Sequence, residues 1–447
     1  MKKDFTLCLA ILLFSSGHIF SQKKVWTLEE CIRYAIDNNI QIKQQVVQTD
    51  IQKNNLALAK LSLLPSMNIT ADHNYSFGRA LDLLQYKYVT NNILYEDFVL
   101  GGSTNLFSGL INYNTIMKNK YQLLAGEQDL QNAKDNISLN IALAYLQILL
   151  NKELVIATNN QLETSNQQIE KTRRMVDAGS VPRGNLLDIV SQAAQEEVQL
   201  INMKNQLDIS YLTLTQMLEL NTPEGFEISM PQITVDTATV ITGNVDDIYS
   251  VASKNRPEIK SAELKLSASQ YDLRIARGGR SPRFTINHSV STRYSYLYND
   301  TSNVSFRDQF KNYLNYGIGL SLTVPLLNGW QVNKNISNAK LEIINSQYSL
   351  EAAKKTLYKN IQQAYEDASA ALKKYNASLK AVASTEESFR YTQQKYDVGM
   401  VTPVDYTVAK TQFLNAQSDL SQAKYEYIFK TKVLDFYKGL PLTLTGK

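Results

Sequence analysis

Few residues in this chain of 447 could do covalent chemistry, and none stands in a recognisable catalytic pattern. With 3 His and 2 Cys, a zinc ribbon, an iron–sulfur centre or a His-rich metal site is excluded. No HExxH, phosphate-binding loop, GxGxxG or GxSxG occurs. His73 and His288 sit within alternating segments, on the same side as the apolar residues, which suits interfacial residues better than a catalytic dyad. The chain therefore reads as no enzyme, with no cofactor. What remains is a pair of glycine turns, Ala178-Gly179-Ser180 and Val398-Gly399-Met400, each with an acid a few residues beyond it, Asp188 and Asp405. An Asp near a helix start can cap free N–H groups or offset the helix dipole. A lone Gly can simply supply a turn.

Composition bounds the rest. Apolar residues make up 44% and charged residues 20%, enough to fold. The formal charge of +4 is too balanced for a nucleic-acid binder. Tyr is abundant, 26 against 14 Phe and 2 Trp, and suits surfaces that are apolar at one end and wet at the other.

Residues 1–21 read as a signal peptide. Met1-Lys2-Lys3 is basic, Phe5 to Phe14 is apolar, and Ser21 ends a segment suited to cleavage. Ten apolar residues are too few to span a bilayer as a helix. Phe5, three positions before Cys8, makes a poor lipidation signal, so no acylation is expected. Loss of Lys2, Lys3 and Asp4 takes the charge from +4 to +3 and leaves Cys31, a small core residue. No later stretch reads as a transmembrane helix, so an exported chain stays soluble or enters an outer membrane as strands.

The elements that carry the turns are duplicated. Asn38-Asn39-Ile40-Gln41-Ile42-Lys43 resembles Asn255-Arg256-Pro257-Glu258-Ile259-Lys260, an offset of 217 (255 against 38). Pro65 and Pro282 share that offset. Leu106-Phe107-Ser108-Gly109 matches Leu326-Leu327-Asn328-Gly329, and Asp177 to Val181 matches Asp397 to Val401, both at 220 (326 against 106, 397 against 177). Residues 22–220 and 245–440 form two repeats, joined by a Pro-, Gly- and Thr-rich linker or small mixed element at 221–244 and trailed by a short tail, 441–447.

Each repeat opens with a helix, Leu28–Leu63 or Val245–Gly278, ended by the next Pro. A β-hairpin comes second, about 65–107 or 282–327. Met67, Ile69, Ala71, His73, Tyr75 and Phe77 alternate with polar residues, and so do Phe284, Ile286, His288, Val290, Thr292, Tyr294 and Tyr296. The second return strand, Leu314 to Val324, alternates cleanly; the first, Phe98 to Leu106, is broken by Glu96 and Gly102. Period two with a polar face is the pattern of an outer-membrane barrel, and aromatics at the strand ends fit an interfacial girdle. A long helix then runs from Gly109 to about Met175, or from Gly329 to about Tyr396. Sixty-odd residues at 1.5 Å each reach roughly 100 Å. Return helices occupy about Asn185–Leu220 and Val404–Lys438. A thin stripe, Ala409, Phe413, Ala416, Leu420, Ala423 and Tyr427, recurs 220 residues earlier as Ile189, Ala193, Glu196, Leu200, Met203 and Leu207. That 3.5-residue period packs supercoiled helices, and the polar remainder suits a hollow assembly wet on both sides. Four strands cannot close a membrane barrel, so oligomerisation is required.

The duplicated plan, the strand-entry prolines, the two LF/LL-x-G junctions and the paired glycine turns resemble outer-membrane efflux proteins of the TolC family. The resemblance covers essentially the whole chain after residue 21. It implies a mainly α fold with a small β-barrel portion: a homotrimer with a twelve-stranded outer-membrane barrel and a periplasmic α-helical tunnel. It implies outer-membrane lipid, a periplasmic adaptor and an inner-membrane pump as partners, with passive export through the channel. By resemblance, Val398, Gly399, Met400, Ala178, Gly179 and Ser180 dock the adaptor. Family channels carry acidic rings two to three turns beyond these glycines; Asp405 and Asp188 match such positions, whereas Val408 and Asn185 occupy the alternates. A ring of three carboxylates would favour cations and raise their pKa. The competing reading is a non-transporting periplasmic scaffold or adhesin, which would not need the alternating hairpins.

Overall fold

The computed structural model describes residues 25–82, 86–231, 244–298, 300–301 and 303–444. The signal segment 1–21, residues 232–243 of the linker and residues 445–447 of the tail lie outside the described residues. The elements of the first half are β1 (Val25–Trp26), α1 (Leu28–Asn38), α2 (Ile40–Leu61), β2 (Ser66–Ser76), β3 (Arg79–Asp82), β4 (Lys87–Thr90), β5 (Ile93–Ser108), α3 (Ile111–Asp177) and α4 (Arg183–Met217). After them come β6 (Glu227–Ile228), α5 (Val245–Asn255), α6 (Pro257–Gly278), β7 (Arg283–Leu297), α7 (Phe306–Asn312), β8 (Asn315–Thr323), α8 (Gln331–Asp397) and α9 (Pro403–Tyr437). The two halves repeat helix lengths of 11, 22, 67 and 35 residues.

The opening helix of each half is broken once, contrary to the single helix expected from sequence. Asn39 and Arg256 take extended backbone, with ψ of 131° at both. Pro257 explains the second break, since it disfavours helix at the residue before it and fits the first turn of the next helix. At the first break Asn39 acts without a proline: its Oδ1 accepts from Gln41 N–H at 2.9 Å, and its amide donates to Met217 O at 3.0 Å.

The chain divides into two units. One comprises the described parts of residues 1–44, 132–255 and 356–447. Its core holds Ile141, Tyr145, Ile148 and Leu149 of α3 together with Leu214, Ile361 and Leu434. The α3 helix contains a window apolar enough to cross a membrane by length and composition, half of it buried. The expected linker contributes β6, which pairs in parallel with β1, and Tyr145 Oη holds this pair at 2.8 Å from Ser229 O.

The second unit comprises residues 45–131 and 256–355. It carries an antiparallel sheet in the order β2-β5-β7-β8. The register places Ile69, Leu100, Val290 and Tyr316 in one row, and Met67, Gly102, His288 and Ile318 in another. The apolar residues of the alternation that fall in these pairs share one face; Leu106 departs from the expected pattern, because the bulge in its strand sets Phe107 instead of Leu106 opposite Phe284. Much of that face is open: Ile69 is 79% and Ile318 86% exposed. The other face carries Asn68, Thr70, Asp72, Ser289, Ser291 and Ser321. The interrupted return strand is β5, a central strand of 16 residues with a bulge between Asn105 and Phe107. Its two irregularities have local reasons. Glu96 lies 2.7 Å from His73 Nδ1. At Gly102 a Cβ would fall 1.9 Å from Ser66 O, so only glycine fits there.

Above Ser291, β7 has outrun β8. Its edge is closed by side chains instead. Gln309 of α7 accepts from Ser295 N–H at 2.9 Å and donates to Ser295 O at 2.8 Å. Asn303 does the same for Leu297, at 2.9 and 2.7 Å. Phe306 and Phe310 of α7 lie against Phe98 and Tyr294 on the apolar face.

Candidate functional site

Both glycine turns end a 67-residue helix in the same way. Ser180 N–H donates to Met175 O and Gly179 N–H to Val176 O. Met400 N–H donates to Lys395 O and Gly399 N–H to Tyr396 O. This six-to-one, five-to-two pair of bonds needs a left-handed residue, and the glycines take φ of +72° and +77°. A Cβ built at either meets nothing within 4 Å. Dihedral freedom, not close approach, is what this chain asks of them.

The two turns lead into return helices that start differently. Thr402 caps α9, accepting from Asp405 N–H at 3.2 Å, while Asp405 Oδ2 accepts from Thr402 N–H at 3.1 Å and from its hydroxyl at 2.7 Å. This is a reciprocal capping box, with Pro403 in the first helical position. The Thr402 hydroxyl and amide hold the Asp405 carboxyl below its ordinary value. Within one chain this is opposite in sign to the elevation expected from a carboxylate ring. Pro182 precedes α4 with no side-chain cap. Asp188 lies exposed on α4.

Lys171 Nζ on α3 reaches Asp397 Oδ1 at the end of α8 at 2.6 Å, which brings the two turns side by side. The surfaces they offer are dissimilar. Val398 and Met400 are 69% and 77% exposed, an apolar tip. Ala178, Gly179 and Ser180 present small exposed residues. Behind the second turn, Tyr406 is buried against Tyr396 at 4.8 Å and Phe389 at 5.5 Å, and burial pushes its hydroxyl up to about 12.

Sequence reasoning misses one cluster. Lys410 and Glu196 are 5% and 3% exposed. Lys410 Nζ donates to Ser165 Oγ at 2.5 Å and lies 3.4 Å from Glu196 Oε1. Ser165 donates to Glu196 Oε2 at 2.5 Å, and Gln161 and Gln192 donate to Oε1 at 2.9 and 3.0 Å. Burial lowers the Lys410 pKa, against the pull of Glu196. The network joins α3, α4 and α9. One signal for it is present in the sequence: Glu196 is the polar member of the α4 stripe.

The family model described as outer membrane efflux protein matches residues 31–219 and 248–435, once per half. The chain is 23% identical over 444 residues to Outer membrane protein TolC of Escherichia coli (strain K12), covering 96% of this chain and 84% of that protein. It is 21% identical over 443 residues to Proteases secretion protein PrtF of Dickeya chrysanthemi, covering 96% and 90%. Among solved structures, the outer membrane protein VceC from Vibrio cholerae superposes with a TM-score of 0.77 at 16% identity, over 92% of this chain and 96% of that one. The Campylobacter jejuni CmeC outer membrane channel gives 0.76 at 17% identity, over 94% and 87%. With duplicated helical hairpins, an amphipathic four-stranded sheet and the family model spanning both halves, the chain belongs to the outer membrane efflux protein family, the family of TolC.

Proposed function

We propose that this chain forms an outer-membrane channel through which substrates delivered by an inner-membrane pump and a periplasmic adaptor leave the cell passively. The observation that carries this reading is the sheet: one face apolar and open, the other polar, with an edge strand on each side. In hydrocarbon such edges must be paired, and copies of the chain can pair them. Three copies give twelve strands, within the range of membrane barrels. The paired glycine turns then serve as the periplasmic end, where Val398, Gly399, Met400, Ala178, Gly179 and Ser180 receive the adaptor. Asp405 and Asp188 lie behind them and set the constriction. Bilayer recording of the purified protein tests this reading. Discrete conductance steps are expected, and a protein that never conducts would favour the scaffold reading.

A further inference from the structure

We propose that α7 is the docking site for the upper end of β2 from a second copy of the chain, so that part of the seam between copies is closed by an aromatic helix contact instead of a strand pair. This rests on the proposed assembly by edge pairing. The edge strands are β2, rising from Ser66, and β8, descending to Thr323. Prolines mark the lower limit of both, Pro65 just before β2 and Pro325 two residues after β8. Proline cannot donate to a ladder. Pairing that starts at these prolines sets Ser66 of one copy opposite Thr323 of the next, and Asn74 opposite Asn315. The strands have 11 and 9 residues, so Tyr75, Ser76 and then Phe77 pass beyond the top of β8.

What they meet there is α7. Gln309 and Asn303 already bond the β7 edge and occupy the fourth-strand position above Ser291. Phe306, Phe310, Tyr313 and Leu314 remain exposed beside it, and so do Tyr75 and Phe77 at the end of β2. Tyr75 and Phe77 project to the same apolar face over which Phe306 and Phe310 lie. Two open aromatic groups thus face one seam, where stacked or edge-on rings gain more than burial alone.

Paired cysteines test the seam in the full-length membrane protein, in which Cys31 is fully buried. Phe77→Cys with Tyr313→Cys probes the α7 contact. Met67→Cys with Leu322→Cys probes the strand pairing beneath it, where opposed residues lie within disulfide reach. Under mild oxidation both pairs should link most chains into covalent oligomers. Linkage of 67 to 322 without 77 to 313 would overturn the α7 contact and leave strand closure standing. Failure of both pairs would overturn the contact together with edge-paired assembly.

Discussion

At Gly399 and Gly179 the backbone conformation, with φ near +75° and open space where a Cβ would go, separates shape from contact. Gly399→Ala should cost about 1–2 kcal/mol, because alanine resists the left-handed region. Gly399→Asn should cost less, since Asn tolerates it; urea unfolding would rank the two. Gly399→Asp should likewise keep the turn but place a charge between the exposed Val398 and Met400. Loss of adaptor copurification with the oligomer intact is the expected outcome, and undiminished capture would remove these residues from the docking surface. Asp405 makes a second case. Its folded pKa is depressed by Thr402, so its capping contribution is complete above the unfolded carboxylate value and fades as pH falls through the folded one. Asp405→Asn should lower cation preference and multivalent block in bilayer recordings, with a smaller change of the same sign for Asp188→Asn. Thr402→Val should move the pH midpoint of cation preference upward. If cation preference and block persist in Asp405→Asn, the residue is only a cap.

Between elements, the Lys410–Glu196–Ser165 network is a buried polar tie that joins three helices. Lys410→Ala should destabilise the helical unit by about 3–5 kcal/mol, because the buried Glu196 carboxylate would lose its only cation in this network and keep only neutral donors. Lys410→Met combined with Glu196→Leu should recover most of that loss, as seen by thermal unfolding. Much of this level is legible in the sequence. Proline and glycine punctuation locates the ends of the long helices closely, and period-two alternation gives the shared face of the sheet. The heptad stripe on α4 is buried at Ile189, Ala193, Glu196 and Leu200. What escapes depends on partners distant in sequence. Asn39 breaks a helix through its bonds to Gln41 and Met217, which propensity does not encode. The β5 pattern looks poor because Glu96 and Gly102 answer to His73 and Ser66 across the sheet. The α7 segment replaces a strand with two side-chain amides, a device with no periodicity to detect.

For the whole molecule, extraction should yield an oligomer of three chains in detergent, and a stable water-soluble monomer would contradict edge pairing in lipid. The matched lengths of α3 with α8 and of α4 with α9 carry a different consequence, for tolerance to insertion and deletion. Lys171 and Asp397 meet only if both long helices reach the same depth. Each residue added to a helix moves its end by about 1.5 Å. Seven residues removed from α3 and α4 alone would retract one turn by about 10 Å and leave Asp397 without Lys171. The same heptad removed from all four helices would keep the stripes in phase and the turns level. Indels within these four helices are thus expected to be neutral only as coordinated sets of four, and helix length should drift in whole heptads shared by both halves.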